Sequence, residues 1–239
     1  MPMEQGKGIR FFVYVIESPS EVDIYHDTSE GEMIARSLKL QRIPCVRKVV
    51  ISKTAFEVAL VVGLVEQMKV FPNHFPLIHI STHGDVEGIQ LSNKETLRWY
   101  ALRQLLLPTN RALDGVMLLC MSCCEGYAAS RMAMYPDATE HPFYSMVANS
   151  GKPTWGETAV AFSSFYHLLS KGYYVYEAVE AMKVASGNKN WIHTTSEAEQ
   201  QGYIAFLKQR QADLRRDQLV ASLSQIQPSA DAKAMSKKS

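Results

Sequence analysis

The sequence predicts an α/β layered fold with a mostly parallel central sheet. Two observations predict it. Short runs rich in β-branched and aromatic residues alternate along the chain with longer segments of helical character. One of those runs, Gly115–Ser122 (GVMLLCMS), is apolar at nearly every position, as a strand covered on both faces must be.

The elements follow in order. Arg10–Glu17, with FFVYVI at its centre, is the first strand, and Ser18–Thr28, rich in Ser, Pro and Asp, is a loop. Ser29–Leu40 forms a helix with Met33, Leu38 and Leu40 on one side, and Pro44 ends that region. Val46–Ser52 is the second strand. Thr54 caps a helix over Ala55–Lys69 whose apolar residues nearly surround it, so it is expected to be well buried. Pro72 and Pro76 bracket a turn before the third strand, Leu77–Thr82, which Ile89–Ser92 extends briefly. Thr96–Leu107 is a helix ended by Pro108, Gly115–Ser122 is the buried strand, and Gly126–Met134 is helical. Lys152–Trp155 is a short strand. Helices Glu157–Ser170 and Tyr176–Ser186 are separated by Lys171-Gly172, with Gly172 as the cap. A polar helix, Glu197–Leu219, comes last. One domain over 8–220 and a disordered tail over 221–239 are expected.

Bulk properties narrow the function classes. The 239 residues suffice for one good-sized domain, with ordinary apolar (46%) and charged (21%) fractions. A net charge of +1 offers no field for nucleic acid or an anionic membrane. The longest apolar runs, such as Ala59–Val65, are too short to span a bilayer, and the start lacks a small-residue cleavage site. Of the four cysteines, Cys120, Cys123 and Cys124 are crowded into a strand-like run where they cannot pair well with one another. With Cys45, they read as reduced thiols of a cytoplasmic protein.

In such sheets ligands gather at the carboxyl ends of strands. His83 follows one predicted strand in LIHISTHGDVEG, and Cys123 and Cys124 follow another in LLCMSCCEG. If the two strands are neighbours, a thiol and an imidazole meet at one edge. That pair is the minimum for nucleophilic catalysis: the thiolate attacks, and the imidazole takes the thiol proton and later protonates the leaving amine. Gly84 and Gly126 let backbone approach a substrate closely. Backbone N–H groups at Gly84 and at the cysteine are candidates for an oxyanion site, and the helix beginning after Cys124 would favour a thiolate through its dipole.

These two segments resemble the caspase-type cysteine peptidases, in which one apolar strand ends in His-Gly and a second ends in small residue, Cys and Gly. The spacing from His83 to Cys124 is of the family's order, roughly 50 residues. Further on, FSSFYHLLSKGYYVYEAVEAMKVA is similar to a bacterial branch, the CHAT peptidases. The resemblance covers roughly residues 75–187. It implies a caspase-like three-layer sandwich, a Cys-His dyad and a cysteine endopeptidase acting on a protein or peptide substrate, with no metal or other cofactor. Aligned without gaps, the nucleophile is Cys124, with Gly126 two residues on; the alternative offset, with Gly three residues on, picks Cys123. CHAT peptidases serve bacterial defence or cell death, joined to a sensor or repeat array. No repeats are detectable here, so an activating protein or ligand would act in trans.

Cys120 and Cys45 read as small buried hydrophobes, and His79 as a core residue. A zinc site from Cys120, Cys123 and Cys124 lacks a second pair, and a redox C-x-x-C needs an exposed helix start. Asp85, Glu87 and Trp155 are the candidates for a substrate pocket; a solvated turn is the simpler reading of the two carboxylates. Asp137, Glu140 and His141 sit in a connecting loop, and Phe162, Phe165 and Tyr166 have core spacing. Two rival functions remain: a catalytically silent binding or regulatory module of the same fold, and a doubly wound nucleotide-binding domain. The second needs a Gly-rich phosphate loop after the first strand, and VIESPSEVDIYHD has none.

Overall fold

The computed structural model describes residues 10–224. The first strand, β1 (Phe11–Ser18), is buried at every position. Parallel neighbours flank it, β2 (Cys45–Val49) on one side and β3 (Phe75–Gly84) on the other. The far end of β3 also carries a small antiparallel extension, β4 (Gly88–Gln90) and β5 (Thr96–Arg98). Beyond β3 come β6 (Leu118–Ser122) and β7 (Ser145–Asn149), both parallel, and antiparallel β8 (Trp191–Thr195) closes the order β2-β1-β3-β6-β7-β8. From β1 the chain runs outward to β2, then returns to place β3 on the other side. The strand order therefore reverses between β1 and β3, and the carboxyl ends of strands at such a reversal are where ligands bind in sheets of this kind.

Alternation along each strand feeds two separate cores. Phe12, Tyr14 and Ile16 of β1, Ile78 and Ile80 of β3, and Leu119 and Met121 of β6 pack on one face. That face is covered by α3 (Lys53–Val58), α4 (Leu64–Val70) and α5 (Trp99–Ala112). Phe11, Val13 and Val15, Leu77, and Leu118 and Cys120 pack on the other. There they meet α2 (Glu30–Leu40), α6 (Trp155–Ser170) and α7 (Val175–Ser186). The expected layering, helices on both faces of a mostly parallel sheet, is the architecture found.

Several element expectations need correction. The loop over 18–28 contains a short helix, α1 (Glu21–Tyr25), capped by Ser20. Met33 and Leu40 of α2 face solvent; the buried side is Glu30, Gly31, Ile34 and Leu38. The helical run over 53–70 starts at Ser52, not Thr54, and exposes Val58, Val61, Val62 and Val65, because only one of its sides meets the sheet. It also bulges into a π turn at Ala59–Gly63, where the Tyr14 hydroxyl donates to the Ala59 carbonyl at 2.7 Å. Pro108 does not end α5: it and Gln104 lie on the exposed side, so the carbonyl that loses its partner faces water. Thr96–Arg98 is strand, and Gly126–Ala133 is 3₁₀ rather than α. Lys152–Trp155 is not a strand; Thr154 there caps α6 in a box with Glu157. The last helix, α8 (Ser196–Ser224), runs past Leu219, and the rest of the expected tail over 221–239 lies outside the described residues.

The start of α2 is pinned to the sheet. Glu17, at the end of β1, accepts from Ser29 Oγ (2.8 Å) and the Gly31 N–H (2.7 Å), and from Arg47 Nε of β2 at 2.6 Å. A Cβ at position 31 would lie 2.6 Å from Glu17 Oε2. Gly31→Ala is therefore expected to cost about 1–3 kcal/mol through overpacking; urea denaturation checks this, and an unchanged midpoint would refute the tightness of the clamp.

Candidate active site

Strand register brings the two sequence motifs together. Ser81 of β3 pairs with Ser122 of β6, the last matched pair of that ladder. Two residues further on stand His83 and Cys124. Alternation places His79, Ser81 and His83 on the α2–α6 side of β3, and Cys120 and Ser122 on the same side of β6. After Ser122 the chain leaves the strand. Cys123 turns to the opposite core with Met121, and Cys124 begins the turn beyond it, partly exposed.

The adjacent thiols thus have different surroundings. Cys123 is 2% exposed and wedged between two glycines: a Cβ would lie 3.2 Å from its Sγ at Gly84 and 3.1 Å at Gly126. Burial above all, then the nearby Cys124, Glu30 and Asp85 charges, push its thiol far above the ordinary range. Burial also raises the Cys124 thiol; Lys152 pulls it back and Glu125 pushes it up again. Glu125 sits in the left-handed region (φ 54°), which makes the turn sharp, and its N–H is held by the Gly151 carbonyl at 2.6 Å. The Cys124 N–H has no hydrogen-bond partner among the described residues.

His83 lies near the end of β3, about half exposed, its ring edge-on to Trp155 with centroids 5.3 Å apart. Its Nε2 meets Asp23 Oδ2 at 2.9 Å. Asp23 belongs to α1, which follows β1 directly, so it reaches the site from the strand on the other side of the switch. Its carboxylate also accepts from the Ser20 N–H and hydroxyl, and from Trp155 Nε1 at 3.2 Å. Partial burial alone would raise the Asp23 pKa, but the Ser20 and His83 hydrogen bonds outweigh it and lower the value to about 2. A carboxylate ionised at neutral pH only accepts, so His83 Nε2 carries the hydrogen. In the neutral ring Nδ1 is then the free acceptor.

The other sequence candidates are placed as follows. Gly84 stays in β3, level with Ile89 of β4. Asp85 Oδ1 accepts from the N–H groups of Glu87 and Gly88, so it closes the β3–β4 turn, and Glu87 is exposed on that turn. Neither carboxylate bonds His83. Trp155 does line the site, as the first residue of α6. His79 is fully buried, its Nδ1 2.8 Å from the Tyr166 hydroxyl, and Cys120 faces the core opposite to Cys123, so the C-x-x-C thiols do not converge. Glu140 pairs with Arg111 at the surface. Sequence reasoning missed Asp23 and, beneath the site, Glu30. The signal for Asp23 was present, since Ser20-x-x-Asp23 reads as a helix-capping pair.

No family model matches the chain, and no curated protein matches it. Among solved structures it is similar to the crystal structure of drICE, with a TM-score of 0.48 and 14% identity over 81% of this chain and 90% of that chain. Among the described residues no helix is long and apolar enough to cross a membrane.

Two outcomes test the site. Because the Asp23 pKa is lowered, its contribution to stability is full above the ordinary carboxylate value of 3.8 and disappears as the pH falls through about 2. Wild type is expected to be more stable than Asp23→Asn to urea at pH 6, and the gap to close by pH 2; a gap constant with pH refutes the assignment. In the native protein a small alkylating reagent is expected to modify Cys124 first, with Cys120 and Cys123 protected, as peptide mass mapping would show.

Proposed function

We propose that the chain is a caspase-like cysteine endopeptidase. The observation that carries this reading is the register: β3 and β6 pair as far as Ser81 and Ser122, so the segments bearing His83 and Cys124 leave the sheet from neighbouring strands, and a carboxylate bonds the imidazole Nε2. In this reading Cys124 is the nucleophile, and Cys123, packed into the core, is structural. Asp23 is a positioning residue that fixes the His83 tautomer.

The reaction would run in two stages. His83 Nδ1 takes the thiol proton as Cys124 Sγ bonds to the peptide carbonyl carbon. The developing oxyanion is met by the unpartnered Cys124 N–H and by the backbone at Gly84. The C–N bond then breaks, and the His83 proton goes to the leaving amine. Water, deprotonated by His83, attacks the thioester; the acid leaves and the thiol regains its proton. Burial raises the Cys124 thiol above its ordinary range, so in this scheme proton transfer to His83 accompanies attack. No metal or other cofactor enters this scheme. An activating protein or ligand would act in trans, as in a bacterial defence or cell-death effector.

Diverse peptide libraries incubated with purified protein test the reading. Cys124→Ala and His83→Ala should abolish cleavage, while Cys123→Ala should keep it. Asp23→Asn should lower kcat by about 10²–10⁴-fold through the wrong tautomer. Cleavage that survives Cys124→Ala would overturn the assignment. A chain that cleaves nothing, alone or with a genetically linked partner, would point to the silent binding module.

A further inference from the structure

We propose that Glu30 is a positioning residue for the Cys124–His83 pair, an inference that rests on the peptidase reading. The Glu30 side chain is entirely buried. Its Oε2 accepts from Ser81 Oγ at 2.5 Å, and its Oε1 accepts from Ser122 Oγ at 2.7 Å. Ser81 is two residues before His83 and Ser122 two before Cys124, and the two serines are register partners. One carboxylate therefore ties together both strands just inside the site.

The position of this tie gives it its role. Beyond Ser81 and Ser122 the parallel ladder stops: His83 and Gly84 pair instead with β4, and Cys123 and Cys124 enter a turn. No ladder bond joins the two functional ends, so the Glu30 bridge is the last cross-link before them. Glu30 is itself fixed, because its chain neighbours Ser29 and Gly31 are both held by Glu17, whose charge Arg47 balances.

Stability alone does not account for a glutamate here. Val15, Ile34 and Cys120 belong to the core on this face of the sheet, into which the polar cluster of Glu30, Ser81, Ser122 and His79 is set. The cation-capable group facing Glu30 is His79, whose Nε2 stands 3.8 Å away without a hydrogen bond. Replacing the whole cluster by apolar residues of similar volume would commonly be as stable or more so, whereas removing Glu30 alone leaves the two buried hydroxyls unpaired. What an apolar residue lacks is the ability to grip two hydroxyls at a fixed separation.

The experiment compares Glu30→Leu, Glu30→Gln and wild type. Glu30→Leu leaves the Ser81 and Ser122 hydroxyls unpaired and should lower the melting temperature; below that temperature it should lower kcat about 100-fold with KM little changed, the scale expected for misplacement by about 1 Å. Glu30→Gln accepts from one serine and donates to the other, so it should restore kcat to within a few-fold. The pH profile of Cys124 alkylation gives a readout independent of turnover: Glu30→Leu should shift it in the same sense as His83→Ala, and Glu30→Gln should not. If Glu30→Leu unfolds the chain, Ser81→Ala, Ser122→Ala and the double variant carry the test, the double falling no further than the worse single. Wild-type kcat and an unshifted profile in Glu30→Leu, with His83→Ala still shifting it, would overturn the Glu30 assignment alone. If wild type cleaves nothing and His83→Ala leaves the profile unchanged, the peptidase reading falls and this inference with it.

Discussion

A buried carboxylate at the end of β1 organises the functional edge of this protein. Glu17 is withdrawn from water, and a charge so placed is tolerated only when it is paired and hydrogen-bonded. Its partners come from three directions: Arg47 from the next strand, and Ser29 and the Gly31 backbone from the start of α2. Strand, strand and helix are thereby locked at one point. Because Glu30 lies between Ser29 and Gly31, its side chain has one place to go, across the sheet toward β3 and β6. Without the Glu17 clamp, neither the helix start nor the Glu30 bridge would have a defined position.

The same edge shows how environment separates chemically identical groups. Cys123 and Cys124 are neighbours, yet the period of two sends one into a dry core between glycines and leaves the other at a turn. Asp23 and Asp85 differ likewise. Asp85 is used up by its own turn, whereas Asp23 collects donors from Ser20, His83 and Trp155 and so stays ionised. Trp155 links the second sheet face to this cluster, since it starts α6 while its indole N–H supports Asp23. The imidazole is held from behind by a charge and from the side by a ring.

Much of this was legible in the sequence, for physical reasons. The nearly unbroken apolar run of β6 and the His-Gly end of β3 follow from burial on both faces and from side-chain alternation, which are local properties. The sheet's far side was not legible. β7, Ser145–Asn149, carries only a short apolar stretch, and β8 is a polar edge strand, so neither stands out from loop. Pro108 misled because its position on the exposed side of α5 depends on tertiary orientation. Glu30 was illegible for another reason. Its partners lie 51 and 92 residues away, and an isolated glutamate beside a helix cap reads as an ordinary first-turn acid.

The arrangement also constrains how a peptidase built this way behaves at rest. The expectation that a helix dipole would favour a thiolate does not fit the turn, where Glu125 takes a left-handed conformation before a 3₁₀ helix and its carboxylate opposes ionisation. Among the described residues Lys152 is the cation whose charge favours the Cys124 thiolate, and it is exposed and lies 3.5 Å from Glu125. In the proposed mechanism the proton therefore stays on sulfur until a carbonyl is bound and the oxyanion donors are engaged. Basicity is supplied from the other side, by an Asp23 that stabilises the imidazolium once it forms. On that proposal the nucleophile forms in the act of attack. In that mechanism the demand falls on geometry rather than on charge, and the carboxylates behind the strands, Glu17 and Glu30, would share it with the residues that touch substrate.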